Sequence, residues 1–93
     1  MDKLRAMAGF VRIVDKGSLT AAAAELGISL PPMVRTLAAL ERELGATLLN
    51  RTTRRINLTD EGRQYLEQCR SVLAQVQEAE AKLLSRRTTP RGR

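Results

Sequence analysis

The chain has 93 residues, enough for one small domain, and a formal net charge of +6. Its single cysteine, Cys69, excludes an internal disulfide and a multi-cysteine zinc site, and the lack of histidine removes the usual metal ligand and general base. Because no apolar run reaches the length of a membrane span and no signal-peptide core precedes the first helix, we expect a cytoplasmic protein without a metal site.

The positive charge is concentrated in two short segments. Three arginines lie between positions 50 and 59, and four more lie in residues 86–93, in each case with no acidic residue among them. The remainder of the chain is close to neutral. This pattern is typical of a polyanion-binding surface. The alternative is a basic surface that only contacts solvent. That alternative is the weaker explanation for the first segment and the stronger one for the terminal segment.

Residues 2–16 are predicted to form the first helix. Apolar side chains repeat there at helical spacing and predict its buried face. These side chains are Leu4, Met7, Phe10, Val11 and Val14. Gly17 is a suitable residue for ending the helix.

A second helix is predicted after Ser18, whose side chain is suited to cap it. Its apolar stripe consists of Leu19, Ala22, Ala23 and Leu26. Gly27 ends this helix, and we expect Ile28 to fill the corner of a tight turn that leads into the next one.

Ser29 is suited to cap a third helix. Pro31 and Pro32 fit its first turn, because the amides of that turn have no intrahelical partner to lose. A buried stripe is predicted at spacings of four, three and four residues, and it consists of Met33, Leu37, Leu40 and Leu44. Gly45 is expected to end the helix.

Residues 47–50 and 56–59 predict two short strands around an arginine-bearing turn. Thr59 begins a last helix over residues 60–85, with Asp60 and Glu61 in the first turn, where the helix dipole favours carboxylates. Residues 86–93 have no apolar periodicity and are expected to be disordered.

The last helix carries an apolar stripe that is too long to be covered by a small body. We expect the surplus to pair two subunits in a homodimer, with packing against the same chain as the alternative. The predicted interface residues are Leu66, Cys69, Val72, Leu73, Val76, Ala79 and Leu83.

These elements predict a mainly α fold: a helix-turn-helix followed by an arginine-bearing hairpin in residues 1–59, a dimerisation helix of residues 60–85 and a basic tail of residues 86–93. A helix pair like the second and third predicted helices places its second member in the major groove of double-stranded DNA. The candidate DNA-binding residues are Thr20, Ser29, Leu30, Pro31, Pro32, Val34, Arg35, Ala38, Arg51, Thr53, Arg54 and Arg55.

The candidate residues have different chemical roles. Arg35, one turn into the third helix, is suited to a guanine or a phosphate, whereas Pro31, Pro32, Val34 and Ala38 offer apolar contact suited to thymine methyl groups.

Two hydroxyl residues and the arginines around the turn are assigned mainly to the DNA backbone and the minor groove. Ser29 and Thr20 are suited to a phosphate, with helix capping as the alternative reading. Arg54 or Arg55 is suited to the minor groove, and Arg51 either braces the hairpin or binds a phosphate.

These residues closely resemble the N-terminal DNA-binding domain of LysR-type transcriptional regulators, over nearly all of the chain from Leu4 to about Leu83. The matching motifs are Phe10-Val11, Gly17-Ser18-Leu19-Thr20, Ala22-Ala23, Leu26, Ile28-Ser29, Pro31, Arg35, Leu40-Glu41, Leu44-Gly45, Leu48, Arg51-Thr52, Arg54, Leu58-Thr59 and Gly62.

The resemblance implies that residues 1–59 form a winged helix-turn-helix, in which the hairpin is the wing, followed by a linker helix that dimerises antiparallel. It also implies binding to interrupted inverted repeats near promoters in the bacterial nucleoid. Most family members sense a small molecule through a C-terminal domain that this chain lacks, so we expect no cofactor here.

The chain departs from the family pattern on the third helix. Leu30 stands where Gln is usual, Pro32 where a small residue is usual, and Val34 where Ser is common. These departures imply fewer hydrogen bonds to DNA and more apolar or shape-based recognition, with Arg35 and the wing contributing more. Leu49 in place of the usual Phe implies a change in packing only.

Catalysis is disfavoured, because no histidine activates a hydroxyl and no glycine-rich phosphate loop is present. The alternative function is a helical oligomerisation or protein-interaction module without specific DNA binding, which explains the apolar stripe but not the clustered arginines. The scarcity of aromatic residues argues against recognition of single-stranded RNA.

Overall fold

A computed structural model describes residues 2–51 and 56–88 of the chain. The elements in these residues follow the predicted order, and they are α1 (Lys3–Lys16), α2 (Leu19–Leu26), α3 (Leu30–Leu44), β1 (Leu49–Arg51), β2 (Ile56–Leu58) and α4 (Asp60–Thr88). The two strands pair antiparallel, with Leu49 opposite Leu58. The predicted fold class, a mainly α winged helix-turn-helix with a long final helix, is confirmed.

The helix boundaries follow from capping residues. The carboxylate of Asp2 accepts a hydrogen bond from the Arg5 amide, and the Ser18 hydroxyl accepts one from the Ala21 amide, as predicted for Ser18. Ser29 occupies the position before α3, but its side chain makes no capping hydrogen bond, so that prediction was wrong. The prolines that follow it supply a preset backbone dihedral instead.

The hydrophobic core lies where α1, α2 and α3 meet the wing and the start of α4. Its buried members are Ala6, Met7, Phe10, Ile13, Ala22, Ala23, Met33, Leu37, Leu40, Leu48, Leu49, Leu66 and Cys69. The ring centroids of Phe10 and Tyr65 are 5.9 Å apart, a contact that joins α1 to α4. The predicted α3 stripe is confirmed at its first three positions.

Several predicted core positions are exposed instead. Leu4 is 44% exposed and Leu26 48% exposed, and the corner residue Ile28 is 43% exposed. In α1 a second stripe with the same period, which includes Ala6 and Ile13, faces the core. Val11 and Val14 pack at its edge.

One further predicted position, Leu44 at the end of α3, is 37% exposed. Leu26 and Leu44 lie in the last turns of their helices, where the chain turns away from the core.

The first half of α4 belongs to the core of its own domain. Leu66 and Cys69, predicted to lie in a dimer interface, are buried against the other core residues and are therefore not free to contact a second subunit. The helix also continues to Thr88, so the expectation that disorder begins at residue 86 was wrong, while residues 89–93 lie outside the described range.

A close approach between α4 and the wing fixes the direction in which α4 leaves the domain. The Thr59 hydroxyl donates to the Thr47 carbonyl at 2.6 Å and accepts from the Gly62 amide at 2.8 Å, which caps α4 as predicted. Gly62 itself packs so tightly that a Cβ atom there would collide with the carbonyl oxygen of Leu48.

In the described residues no helix combines the length and the apolar composition needed to cross a membrane. The same residues contain no group of three or more acidic or cysteine side chains arranged to hold a metal ion.

Candidate nucleic-acid interface

The outer face of α3 is the surface directed away from the core. Met33, Leu37 and Leu40 point inward, and at about 100° per residue the opposite side carries Pro31, Arg35, Ala38 and Arg42. Pro31 and Arg35 are exposed, while Ala38 is half-buried. Leu30, 40% exposed, and the half-buried Val34 flank this line. We call this surface, residues 30, 31, 34, 35, 38 and 42, the α3 face.

Within the part of the chain that the structure describes, the charged groups of the α3 face have no ion-pair partner. Among the described side chains the unpaired cations are Arg5, Arg35, Arg42, Arg63 and Arg86, whereas Lys3, Arg12, Lys16, Arg70 and Lys82 are each within 4 Å of a carboxylate. An unpaired guanidinium retains all its donors for a carboxylate, a phosphate or a guanine edge. The structure thus leaves Arg35 and Arg42 available on the side of α3 that faces solvent.

Arg5 joins this surface although the sequence pattern did not single it out. It lines a cleft between the start of α1 and α3, together with Pro32 and Arg35. Arg5 and Arg35 are 30 positions apart in the chain, so only the packing of α1 on α3 brings them to one cleft. The only signal in the sequence was an exposed arginine near the start of the first helix.

Two hydroxyl groups near helix N-termini are also available. Ser29 is exposed and does not cap α3, and Thr20 is exposed in the first turn of α2, where Ser18 already provides the cap. Capping, the alternative reading for both residues, is therefore not their role here. Each hydroxyl lies beside backbone amides at the positive end of a helix dipole.

The wing is attached to α3 through a carboxylate. An oxygen of Glu41 accepts hydrogen bonds from the amides of Leu48 and Leu49, at 2.7 and 3.2 Å. This contact holds the start of β1 against the last turns of α3. Of the predicted wing residues, Arg51 ends β1, and Thr53, Arg54 and Arg55 lie outside the described residues.

The second half of α4 carries a further exposed apolar surface. Leu73 and Val76 are half-buried, Ala79 is exposed and Leu83 is 57% exposed. Val72 differs because it packs partly against the domain core. We call residues 73, 76, 79 and 83 the α4 stripe.

Cys69 is buried in the core, and the neighbouring Tyr65 is half-buried. Burial raises the pKa of the Cys69 thiol, and burial together with the neighbouring Cys69 raises the pKa of Tyr65. Both groups therefore stay protonated near neutral pH. A protonated, buried thiol is neither a nucleophile nor a metal ligand.

The fold and the exposed third helix define a winged helix-turn-helix protein. A family model described as a bacterial regulatory helix-turn-helix protein of the lysR family matches residues 4–63. The chain belongs to the LysR family of bacterial regulatory helix-turn-helix proteins.

Curated relatives carry the same domain within longer chains. An HTH-type transcriptional repressor of Pseudomonas aeruginosa (strain UCBPP-PA14) is 47% identical over 93 residues, which cover all of this chain and 29% of the repressor. The HTH-type transcriptional activator AaeR of Escherichia coli (strain K12) is 42% identical over 92 residues, which cover 99% of this chain and 30% of AaeR. The chain thus spans about three tenths of these relatives, both of which are named as regulators and not as enzymes.

Solved structures with the same fold include complexes with DNA. The chain is similar to the BenM DNA-binding domain in its complex with catB site 1 DNA, with a TM-score of 0.85 and 34% identity, covering 91% of this chain and 90% of that one. It is equally similar to the CbnR DNA-binding domain in a DNA complex, with a TM-score of 0.84 and 34% identity, covering 91% and 97% of the two chains.

Proposed function

We propose that this chain is the sequence-specific DNA-binding module of a LysR-type transcriptional regulator that acts at bacterial promoters. The observation that carries the proposal is the α3 face: a helix with an apolar inner side and an outer side on which Arg35 is exposed and unpaired. The likeness to two domains solved with DNA supports it.

In this proposal α3 enters the major groove of double-stranded DNA with its N-terminal half foremost. Arg35 donates two hydrogen bonds to a guanine, because its planar fork fits the two acceptors on that edge. Pro31, Val34 and Ala38 pack beside it on the base pairs, and Leu30 and Pro32 contact the groove at the start of the helix.

Phosphates on both sides of the groove hold α3 in place. Ser29 and Thr20 donate their hydroxyl hydrogens, and the free amides of the α2 first turn add further donors. Arg5 and Arg42 supply charge from either end of α3. Since phosphate contacts carry no sequence information, these residues contribute affinity and orientation only.

The wing adds contacts in the minor groove. Arg54 or Arg55 at its tip enters the groove next to the recognition helix, and Arg51 and Thr53 approach the backbone. The Glu41 hydrogen bonds to β1 support this role, because they tie the wing to the same helix that lies in the major groove.

The α4 stripe forms the homodimer interface in this proposal. Two α4 helices pair antiparallel through Leu73, Val76, Ala79 and Leu83, and the domains at the two ends reach the halves of an interrupted inverted repeat. Leu66 and Cys69 are left out because the core already buries them.

We extend the proposal to the whole regulator and its location. Residues 1–59 bind DNA, α4 links them to a separate effector-binding domain, and this module works without a cofactor or metal. Such a regulator acts in the bacterial cytoplasm at the nucleoid.

Fluorescence anisotropy with labelled duplexes tests the proposal. Because neutralised phosphates release counterions, contact with about four phosphates weakens binding about 100-fold between about 50 and about 200 mM salt. A chain that binds no duplex at low salt, yet self-associates independently of salt, is instead an oligomerisation module.

A further inference from the structure

The exposed face of α4 extends beyond the α4 stripe at both ends of the helix. Its residues follow one another at spacings of three or four positions and therefore lie along one side of the helix. We call this set the α4 row, and it consists of Glu61, Tyr65, Gln68, Val72, Val76, Ala79, Leu83 and Arg86. Each of these residues is exposed or half-buried, so the row is open to a partner over about 38 Å of the helix.

The two ends of the α4 row have complementary chemistry. At the start of the helix, Glu61 and Tyr65 line a cleft of about 490 Å³ between α4 and the end of α3, and Leu44 forms its apolar wall on the α3 side. At the other end of the row, Leu83 is 57% exposed and Arg86 is exposed. Among the described residues neither Glu61 nor Arg86 has an ion-pair partner. An aromatic ring and a carboxylate at one end thus match a leucine and a guanidinium at the other.

The order of these residues makes the α4 row complementary to itself in an antiparallel pair. In such a pair each residue faces the one that lies equally far from the two-fold axis on the partner helix. An axis close to the level of Ala74 matches all eight positions at once. The facing pairs are Glu61 with Arg86, Tyr65 with Leu83, Gln68 with Ala79 and Val72 with Val76.

A register centred on the α4 stripe alone is less favourable. Its axis lies level with Glu78, which brings Arg86 level with the partner's Arg70, a second cation. The cleft at the start of α4 then stays uncovered, with Leu44 37% exposed. Complementary charge and apolar contact therefore both favour the axis near Ala74.

We infer that the cleft between α3 and α4 receives the end of the partner subunit's α4, with Leu83 against Tyr65 and Leu44 and with Arg86 beside Glu61. The inference rests on the proposed homodimer and extends its interface from α4 to the helix-turn-helix body. Because carboxylates on the rim of the cleft repel phosphates, the beginning of the terminal basic segment is a subunit contact and not a DNA contact. Dimerisation also covers the last residue of α3.

Cysteine cross-linking determines the register. Gln68→Cys and Ala79→Cys combined in one chain are expected to form disulfides between subunits under mild oxidation, because facing positions meet the distance that a disulfide requires. Either substitution alone leaves the two cysteines of a dimer about 15–18 Å apart along the helix axis and is expected to give no cross-link. Non-reducing electrophoresis measures the product, and the parent chain is the control, because Cys69 is buried.

Charge exchange tests the contact in the cleft. Arg86→Glu places a like charge beside Glu61 in both copies and is expected to weaken dimerisation about tenfold at low salt. Adding Glu61→Arg to the same chain restores the attraction and is expected to recover most of the affinity. Sedimentation equilibrium measures the dissociation constants, and circular dichroism verifies that each variant is folded.

A matched pair of leucines tests the apolar part of the contact. Leu83→Ala is expected to weaken dimerisation at least about tenfold, because each dimer loses two buried leucine side chains. Leu84→Ala is the control: that side chain is 55% exposed but lies about 100° around the helix from Leu83, and its removal is expected to leave the dissociation constant unchanged.

The outcomes separate this inference from the proposed function. A cross-link formed by Ala79→Cys alone places the axis near Glu78 and overturns the inference, while the homodimer stands. Dimerisation of Arg86→Glu as tight as that of the parent, or no recovery after the charge exchange, also overturns it. A parent chain that stays monomeric overturns the inference and the proposed homodimer together, whereas DNA binding is decided independently by the anisotropy titration.

Discussion

The α3 face and the α4 stripe are both exposed and partly apolar, yet their charges differ. On the α3 face Arg35 and Arg42 have no ion-pair partner among the described residues, whereas beside the α4 stripe Lys82 is paired with Glu78 at 3.8 Å and Glu80 is exposed. Unpaired cations next to hydrocarbon suit a polyanion with apolar features, as DNA has in its major groove. Mixed charges flanking a helical stripe suit a second helix. The exposed apolar side chains therefore indicate an interface on each surface. The charges beside them favour DNA as the partner of the α3 face and a second helix as the partner of the α4 stripe.

The largest loss of stability is expected at the contact between Gly62 and Leu48, because the positions of both the α3 face and the α4 stripe depend on it. Gly62→Ala places a Cβ against the carbonyl oxygen of Leu48, and neither backbone can move without separating α4 from the wing. We expect a loss of about 3–5 kcal/mol and a fall in melting temperature of more than about 12 °C. Thermal unfolding by circular dichroism measures both.

Gly9→Ala is the matched control for that change. A Cβ at Gly9 meets nothing within 4 Å, and the residue lies inside α1, where alanine is favoured over glycine by about 0.5–1 kcal/mol. The control is therefore expected to raise the melting temperature. A Gly62→Ala protein as stable as the parent would contradict the close packing described for α4.

The next largest effect removes the α4 stripe alone. Val76→Asp places an unpaired carboxylate in each half of a symmetric interface, which costs at least about 2 kcal/mol and weakens dimerisation at least about 30-fold. Sedimentation equilibrium measures the dimer dissociation constant. Ala74→Asp, about 200° around the helix, introduces the same charge and is expected to leave it unchanged.

Arg35→Ala tests the α3 face without touching α4. Loss of a bidentate contact to guanine is expected to cost about 1–3 kcal/mol in specific binding and to relax the preference at one base pair. Arg63→Ala is the control, because it removes an equal unpaired charge from α4. A loss that is uniform across all sequences would make Arg35 a phosphate contact instead.

Arg5→Ala sharpens the distinction between base and phosphate contacts. We expect weaker binding to all duplexes by a similar factor, together with a decrease of about 0.9 in the slope of log affinity against log salt for each site. Titrations at several salt concentrations provide that slope. An unchanged slope would remove Arg5 from the interface.

The smallest effect is expected at the ion pair between Asp15 and Arg70, which lies outside both the α3 face and the α4 stripe. The hydrogen bond from Arg70, at 2.7 Å, lowers the pKa of the Asp15 carboxyl below its ordinary value. Its stabilising contribution is therefore present above the unfolded pKa, near 4, and is lost as the pH falls through the folded pKa. Because both side chains are largely exposed, we expect Asp15→Asn to cost about 0.5 kcal/mol or less at pH 7.

That difference between Asp15→Asn and the parent protein is expected to shrink as the pH falls through the folded pKa of Asp15, and to be absent below it. Urea unfolding at a series of pH values between 7 and the acid range measures it. A difference that grows toward acid pH would contradict the assigned ion pair.

Local signals in the sequence were sufficient for the order of the elements. The cap at Ser18 and the left-handed glycines at positions 17, 27 and 45 are decided by the backbone within a few residues, so they are readable from the chain itself. The inner side of α3 was equally predictable at Met33, Leu37 and Leu40, because the buried positions of one helix follow from its period.

Features that depend on distant partners were not predictable in this way. α1 carries two apolar stripes of the same period, and only packing against α2 and α3 selects the one with Ala6 and Ile13. The stripe of α4 is continuous, and the domain's size decides that Cys69 is buried while Val76 remains half-exposed. The contact between Glu41 and β1 likewise had no signal beyond a glutamate on a helix.

The most direct test measures whether the α3 face and the α4 stripe act separately. It compares the parent protein with Val76→Asp in binding to DNA that contains a single half-site and to DNA that contains an inverted repeat of two half-sites. We predict equal affinity of the two proteins for the single half-site at protein concentrations below dimerisation, and loss of the preference for the repeat in Val76→Asp only. If Val76→Asp retains that preference, or if a folded Val76→Asp loses binding to the single half-site as well, the division between the α3 face and the α4 stripe is wrong.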